Sequence, residues 1–269
     1  VAELAQKLVE YEMGDVVLYV GENLSYPDEK LFTFYLDEFE TKLFDLPEGV
    51  YTCLIENEDC EEQILTPGMD DEIFSRTKVP MTKNEVRVLS ISRLELTKKA
   101  VVYDVGSGTG SVSVECARLS PDIAVFAIEQ KEEAANLTKE NAVRLGLSDQ
   151  IMVINKKVPE GFEELPTPTH VFIGGSSGAL SDILSAIQKK LIVKENTKGV
   201  RVVINAVSLE TIAQITKLIQ TYPVKHVQLT QIQASRAHKL GSYNLMQAQN
   251  PVLIASFNLL PDDKMEADE

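Results

Sequence analysis

The chain has 269 residues, 44% of them hydrophobic, enough for one large domain or two modest ones with a real core. Its net charge of −15 argues against nucleic acid as a substrate, and no run is long and apolar enough to span a bilayer. Cys53, Cys60 and Cys116 lack metal-ligand spacing and point to a reduced, cytoplasmic setting; three dispersed histidines predict no metal site. The charge is uneven. Residues 1–62 hold 17 acids against 3 bases, and the tail 262–269 holds 5 against 1. Residues 63–261 hold 19 acids and 22 bases, and Thr211 to Pro261 contains no carboxylate at all. That local lack permits a polyanionic small molecule, though a basic and polar hairpin would read the same way.

In chain order, Val1 to Met13 predicts an amphipathic helix with Leu4, Leu8 and Tyr11 on one face. Asp15 to Val20 reads as a strand, Gly21 to Lys30 as a loop, Phe34 to Phe44 as a helix and Gly49 to Ile55 as a strand, together a βαβ-like piece. Asn57 to Gln63 is a short acidic connector. Val79–Pro80 fixes an extended approach to a helix over Lys83 to Leu94, and Thr82 with Glu85 fits a capping box.

The centre of the chain is Val101 to Ala117, VVYDVGSGTGSVSVECA. Val101 to Val105 reads as a buried parallel strand carrying Asp104. Gly106, Gly108 and Gly110, interleaved with Ser107 and Thr109, make a tight turn into a helix over Ser111 to Leu119. Such a turn lets backbone approach a ligand closely. The pattern is D-x-G-x-G-x-G. The dinucleotide form G-x-G-x-x-G would need a third glycine where Ser111 stands. The next apolar run, Ile123 to Ile128, is followed by Glu129, where a carboxylate could accept hydrogen bonds from both hydroxyls of a ribose.

Alternation continues with a helix over Lys131 to Leu145 ended by Gly146, and strands at Ile151 to Ile154 and His170 to Ile173, the latter running into Gly174 and Gly175. A helix over Leu180 to Leu191, a strand over Val200 to Val207 and a helix over Leu209 to Thr221 come next. Two late strands, Lys225 to Gln233 and Val252 to Phe257, with no clear helix between, predict an antiparallel pair at one edge. The fold class is α/β: a Rossmann-like, seven-stranded, mostly parallel sheet, with its ligand beyond the C-terminal strand ends at the switch point beside Asp104. Candidate substrate contacts at those ends are Lys78, Arg87, Gly174, Gly175, Asn205, Arg236 and His238. Arg87 could instead pair with a helix carboxylate. Asn205, after the run VVI, stands out among them.

The form D-x-G-x-G-x-G resembles class I S-adenosylmethionine (SAM) methyltransferases. The ordered set KVPMTKNEVR, DVGSGTG, AIEQ, VFIGGSSG and VINAVSLET resembles the CbiT-type methyltransferase of cobalamin biosynthesis. Before it, VVLYVGENLSYPDEK and VYTCLIEN resemble the close of a CbiE-type tetrapyrrole methylase domain, the two being fused in this order in CobL-type proteins. The resemblance implies a CbiE-like remnant over 1–56, a linker over 57–67, a CbiT-like domain over 68–259 and an acidic tail over 260–269. With Val1 as the first residue, an upstream CbiE-like segment is expected to be missing. The resemblance also implies SAM as cofactor, held by Thr82, the Gly106–Gly110 loop, Glu129 and Val158. It implies a polycarboxylated tetrapyrrole as substrate, methylation at carbon 15 of a precorrin-6B-type ring with loss of the ring-C acetate carboxylate, and a homo-oligomer, commonly a tetramer. The sequence singles out no catalytic residue. Other readings are a class I methyltransferase for a small carbon or oxygen acceptor, and a SAM-binding module without turnover.

Overall fold

A computed structural model of the chain describes residues 1–10, 13, 15–38, 46, 49–57, 64, 66–193 and 198–262. Two compact units form, the first built on residues 1–64 and the second on most of the chain after residue 64. The connector over 57–67 and the tail over 260–269 lie largely outside the described residues, as does Tyr11. Among the described residues, no helix is long and apolar enough to cross a membrane.

In the first unit, helix α1 (Ala2–Glu10) precedes strands β1 (Val17–Glu22), β2 (Lys30–Tyr35) and β3 (Tyr51–Glu56). They form a sheet in the order β2-β1-β3, antiparallel on both sides of β1. Ala5, Leu8, Val16, Leu18, Val20 and Leu36 make its core. The βαβ-like expectation is therefore corrected. Phe34 lies in β2, residues 36–38 form a 3₁₀ turn, and residues 39–44 lie outside the described residues. The reason is local: Phe32 and Phe34 alternate at period two and stack, ring centroids 6.1 Å apart, which is strand spacing.

The second unit runs α2 (Asn84–Leu94), β4 (Val101–Val105), α3 (Ser111–Ala117), β5 (Ala124–Ile128), α4 (Glu132–Arg144), β6 (Ile151–Ile154), β7 (His170–Ile173), α5 (Leu180–Val193), β8 (Val200–Ala206), α6 (Leu209–Thr221), β9 (Val224–Ile232), β10 (Ser235–Leu240), β11 (Tyr243–Ala248) and β12 (Val252–Leu259). Seven of these strands make one sheet in the order β6-β5-β4-β7-β8-β12-β9. The first five are parallel, and β12 is antiparallel to both β8 and β9. This is the expected mostly parallel sheet with its antiparallel end. The order reverses at β4, which has β5 on one side and β7 on the other, so a crevice opens beyond its C-terminal end. Tyr103, Val105, Phe126, Ile128, Val171, Ile173, Val202 and Ile204 pack with α5 residues Ile183, Leu184 and Ile187 in the main core. β10 and β11 form a separate two-stranded hairpin, within the stretch where a basic and polar hairpin is one reading; its strands cannot be bounded from sequence because polar and exposed residues dominate it and leave no burial pattern.

The capping box at Thr82 and Glu85 is not what starts α2. Lys83 is the N-cap residue and no side chain of its own caps the helix. A distant carboxylate does this instead: Asp71 Oδ1 accepts the Asn84 N–H at 3.1 Å. The same oxygen accepts from Arg87 Nη1 at 3.1 Å. Arg87 has no exposed surface. Its Nε donates to Glu115 Oε1 at 2.9 Å, its Nη1 also to the Thr82 carbonyl at 2.7 Å, its Nη2 to the Met69 carbonyl, and the guanidinium lies 4.9 Å from the Phe74 ring centre. Glu115, equally buried, also accepts the Gly68 and Met69 N–H groups at 2.9 Å. The strap 66–83 is thereby pinned to α2 and α3. Removing one partner of a buried pair leaves the other charge stranded, at about 3–5 kcal/mol. Glu115→Ala should lose about that much in urea unfolding, and Arg87→Met with Glu115→Leu should recover most of it. A loss under about 1 kcal/mol for Glu115→Ala would show that the pair does not hold the strap.

Candidate active site

β4 delivers Asp104 and Val105 to the crevice, and the chain then turns sharply. The Gly106 N–H bonds to the Ile128 carbonyl at 2.9 Å and the Gly110 N–H to the Ser107 carbonyl at 2.8 Å. Gly106, Gly108 and Gly110 take φ values of +73°, +60° and +76°. A Cβ at Gly106 would meet the Gly175 carbonyl oxygen at 2.6 Å, and one at Gly108 the Pro80 carbonyl oxygen at 2.9 Å. Both the left-handed backbone and the close approach therefore require glycine.

Two acids flank this turn. Asp104 is 1% exposed; Ser113 Oγ donates to its Oδ2 at 2.5 Å, while its Oδ1 has no partner. Burial pushes its pKa up to about 6, opposed by the Ser113 hydrogen bond and reinforced by the charge of Glu129. Glu129 stands just after β5 and grips the turn: its Oε2 accepts the Gly108 N–H at 3.1 Å and its Oε1 the Lys131 N–H at 2.9 Å. Asn155 Nδ2 holds the Glu129 carbonyl at 2.8 Å. From α4, Thr138 Oγ1 donates to the Gly108 carbonyl at 3.1 Å and sits 3.2 Å from Ser107 Oγ. Asn141 Nδ2 bridges the carbonyls of Thr109 at 2.8 Å and Ser75 at 3.0 Å, and its Oδ1 accepts the Ser75 N–H at 2.7 Å. Thr109 Oγ1 is buried without a partner. Sequence reasoning missed Ser75, Thr138 and Asn141. The sole available signal was the i, i+3 spacing of the last two on the buried side of α4, which reads as ordinary core.

The remaining expected residues divide. The Gly174 and Gly175 N–H groups both approach the Val105 carbonyl, at 3.0 and 3.4 Å, and both glycines are exposed beside the turn. Register pairs Val105 with Ile173 and Ile173 with Ile204, so Gly106, Gly174 and Asn205 stand at one level across three strand ends. Asn205 faces α2, its Oδ1 3.0 Å from Ser90 Oγ and its Nδ2 buried without a partner. Thr82 is half-buried just before α2, and Val158 is half-buried against the main core. Lys78 is exposed on the strap and His238 on the hairpin. Arg236 forks onto Glu85, Nε to Oε1 at 2.7 Å and Nη2 to Oε2 at 2.6 Å, with Nη1 2.8 Å from Asp71 Oδ2. Arg87 is corrected: wholly buried and paired with Glu115, it has no surface to offer a substrate.

Known proteins share this fold. A family model described as precorrin methyltransferase domain matches residues 72–258. A Pyrobaculum calidifontis protein named "Probable cobalt-precorrin-6B C(15)-methyltransferase (decarboxylating)" is 38% identical over 191 residues, 70% of this chain and 94% of the relative. A Saccharolobus solfataricus protein of the same name is 32% identical over 199 residues, covering 73% and 98%. Among solved structures, a precorrin-6y C5,15-methyltransferase from Geobacter metallireducens superposes with a TM-score of 0.64 at 30% identity, covering 71% of this chain and 96% of that one. With seven strands in methyltransferase order and a family match across most of its length, the chain belongs to the precorrin methyltransferase domain family.

Proposed function

We propose that this chain is a SAM-dependent, decarboxylating methyltransferase that methylates carbon 15 of a precorrin-6B-type intermediate and removes the ring-C acetate carboxylate, in cobalamin biosynthesis. The observation that carries the reading is the near-complete coverage of relatives bearing that name, 94% and 98% of their lengths. Residues 1–56 stand in this reading as the end of a CbiE-type domain.

The residues at the crevice suit SAM. Asp104 Oδ1, buried and unpartnered, is an acceptor waiting for a donor. Each Glu129 oxygen accepts one backbone N–H, which leaves lone pairs for ribose hydroxyls. The Gly106–Gly110 turn admits a ligand against bare backbone, with Thr82 and Val158 as further contacts. When bound, SAM supplies a methyl group already activated by a positive sulfonium. The chain's own work is placement. Ionised Asp104 balances ligand positive charge in a dry setting, and Glu129, held at both oxygens, fixes the ligand's orientation. Loss of CO₂ from an acetate leaves an electron pair that the conjugated ring can take up. No strong base or protein nucleophile is therefore required, which fits the lack of a catalytic dyad in the sequence.

Mass spectrometry of an incubation with SAM and a precorrin-6B-type substrate, metal-free and cobalt-bound, should give a product that gains one methyl and loses one CO₂. Unchanged substrates alongside good SAM binding would overturn the reading in favour of a binding module. Glu129→Ala should weaken SAM binding about tenfold or more by calorimetry, from the loss of hydrogen bonds to charge. SAM affinity should fall as pH drops through about 6, because Asp104 gains its proton there. In Asp104→Asn the affinity should be lower and flat across that range; an unchanged pH profile would remove Asp104 from the site.

A further inference from the structure

Two residues of the central motifs have no part in the site as described so far: Gln130, the last of AIEQ, and Ser177, within VFIGGSSG. They bond to each other, Gln130 Nε2 donating to Ser177 Oγ at 2.9 Å. Gln130 follows Glu129 just beyond β5, and Ser177 lies in the loop just beyond β7. Those two strands flank β4 on its opposite sides. The bond therefore bridges two strand spacings, roughly 10 Å of sheet, across the end of β4 where the Gly106–Gly110 turn begins. Both side chains are exposed, so the bridge belongs to the mouth of the crevice and not to the core.

Backbone fixes both ends of the bridge. Asn155 holds the Glu129 carbonyl and Glu129 Oε1 holds the Lys131 N–H, so Gln130 sits between two restrained neighbours. On the other side the Ala179 N–H closes a turn onto the carbonyl of buried Ser176 at 2.9 Å. The central residues of that turn are Ser177, with φ +50°, and Gly178, with φ +86°. Positive φ at both central positions favours Gly, Asn and Asp. Serine at 177 instead places a Cβ in backbone that L side chains avoid. The turn gains nothing from that choice. What serine adds over glycine is a hydroxyl, and the hydroxyl goes to Gln130. An unfavourable backbone kept for a single side-chain bond points to a functional contact.

We infer that Gln130 and Ser177 form a clasp over the cofactor crevice, tying the rim that carries Glu129 to the loop after β7. With the clasp shut, a nucleoside ligand seated on Glu129 and the glycine turn is held beneath the bridge; with it open, the ligand passes freely. The inference rests on the SAM reading above. A clasp equally stable with and without ligand slows entry and exit alike, and so sets residence time without setting affinity. The test measures SAM association and dissociation by surface plasmon resonance on the immobilised full chain, with thermal unfolding in parallel. Gln130→Ala and Ser177→Gly should each raise both rate constants about threefold to fivefold, the worth of one neutral hydrogen bond, with Kd unchanged and no fall in Tm. The double variant should be no faster than either single one, because both changes remove the same bond. Wild-type rates in the single variants, additive effects in the double, or a change confined to one rate constant would overturn the inference; the last would make Gln130 or Ser177 a direct ligand contact. Absence of SAM binding by the wild type would overturn the SAM reading and the clasp with it, whereas normal wild-type binding with unaltered variants sinks the clasp alone.

Discussion

The second unit depends on a positive charge that has no water. A guanidinium without exposed surface must give its N–H groups protein partners or unfold the region around it. Arg87 meets that demand with Glu115 from α3, Asp71 from the strap and two strap carbonyls. Its carboxylate partners lie 16 and 28 residues away in sequence, so satisfying the charge brings three segments to one place. The strap is then carried over α4, where Asn141 takes both backbone groups of Ser75, and on to Pro80 beside Gly108. The crevice at the sheet's switch point thereby acquires a wall on its open side. Backbone carbonyls and a paired ion hold that wall, with the buried Phe74 ring against the guanidinium.

The strands of the second unit were legible because they are short, continuous apolar runs between turn residues. Val101–Val105, Ile151–Ile154 and His170–Ile173 need no partner information to be recognised. The glycine turn was equally legible, since three glycines at period two beside an acid leave few alternatives. What the sequence hid was every feature whose cause lies far along the chain. Thr82 and Glu85 have capping-box spacing, yet α2 begins two residues after Thr82, because Asp71 offers a carboxylate and Arg87 holds the Thr82 carbonyl. Arg87 read as a substrate contact or as the partner of a helix carboxylate; the second reading holds, with Glu115 of α3, but its complete burial was hidden because burial of a charge has no signature in composition. Phe34 began a helical pattern in one direction and ended a strand pattern in the other, and the strand prevailed. The hairpin β10–β11 showed only as a carboxylate-free, polar stretch, and its strands were not legible because neither of its faces is buried.

The site shows the same division. Asp104 and Glu129 announced themselves as acids at strand ends. Their environments did not: one is desolvated and half-paired, the other clamped by two backbone N–H groups. These are opposite ways of preparing a carboxylate. The first leaves it avid for a donor, and the second fixes its direction.

Asp71 is a single carboxylate whose two oxygens serve separate regions. Its Oδ1 serves the N–H of Asn84 and the buried Arg87, while its Oδ2 serves Arg236 on the exposed hairpin. The dependence runs one way. If Arg236 were lost, Asp71 would still be committed to the interior, so the hairpin could change its chemistry without disturbing the fold. If Asp71 were lost, Arg87 would keep Glu115 and the Thr82 and Met69 carbonyls, but its Nη1 and the Asn84 N–H would each lose an acceptor whatever the hairpin carried. The two ends of this link therefore differ in cost: a change at 236 leaves the interior bonds of Asp71 in place, whereas a change at 71 removes an acceptor from Arg87 and the cap of α2 together. Relatives that differ at 71 should therefore supply another acceptor for the start of α2, since Glu115 already holds the charge of Arg87.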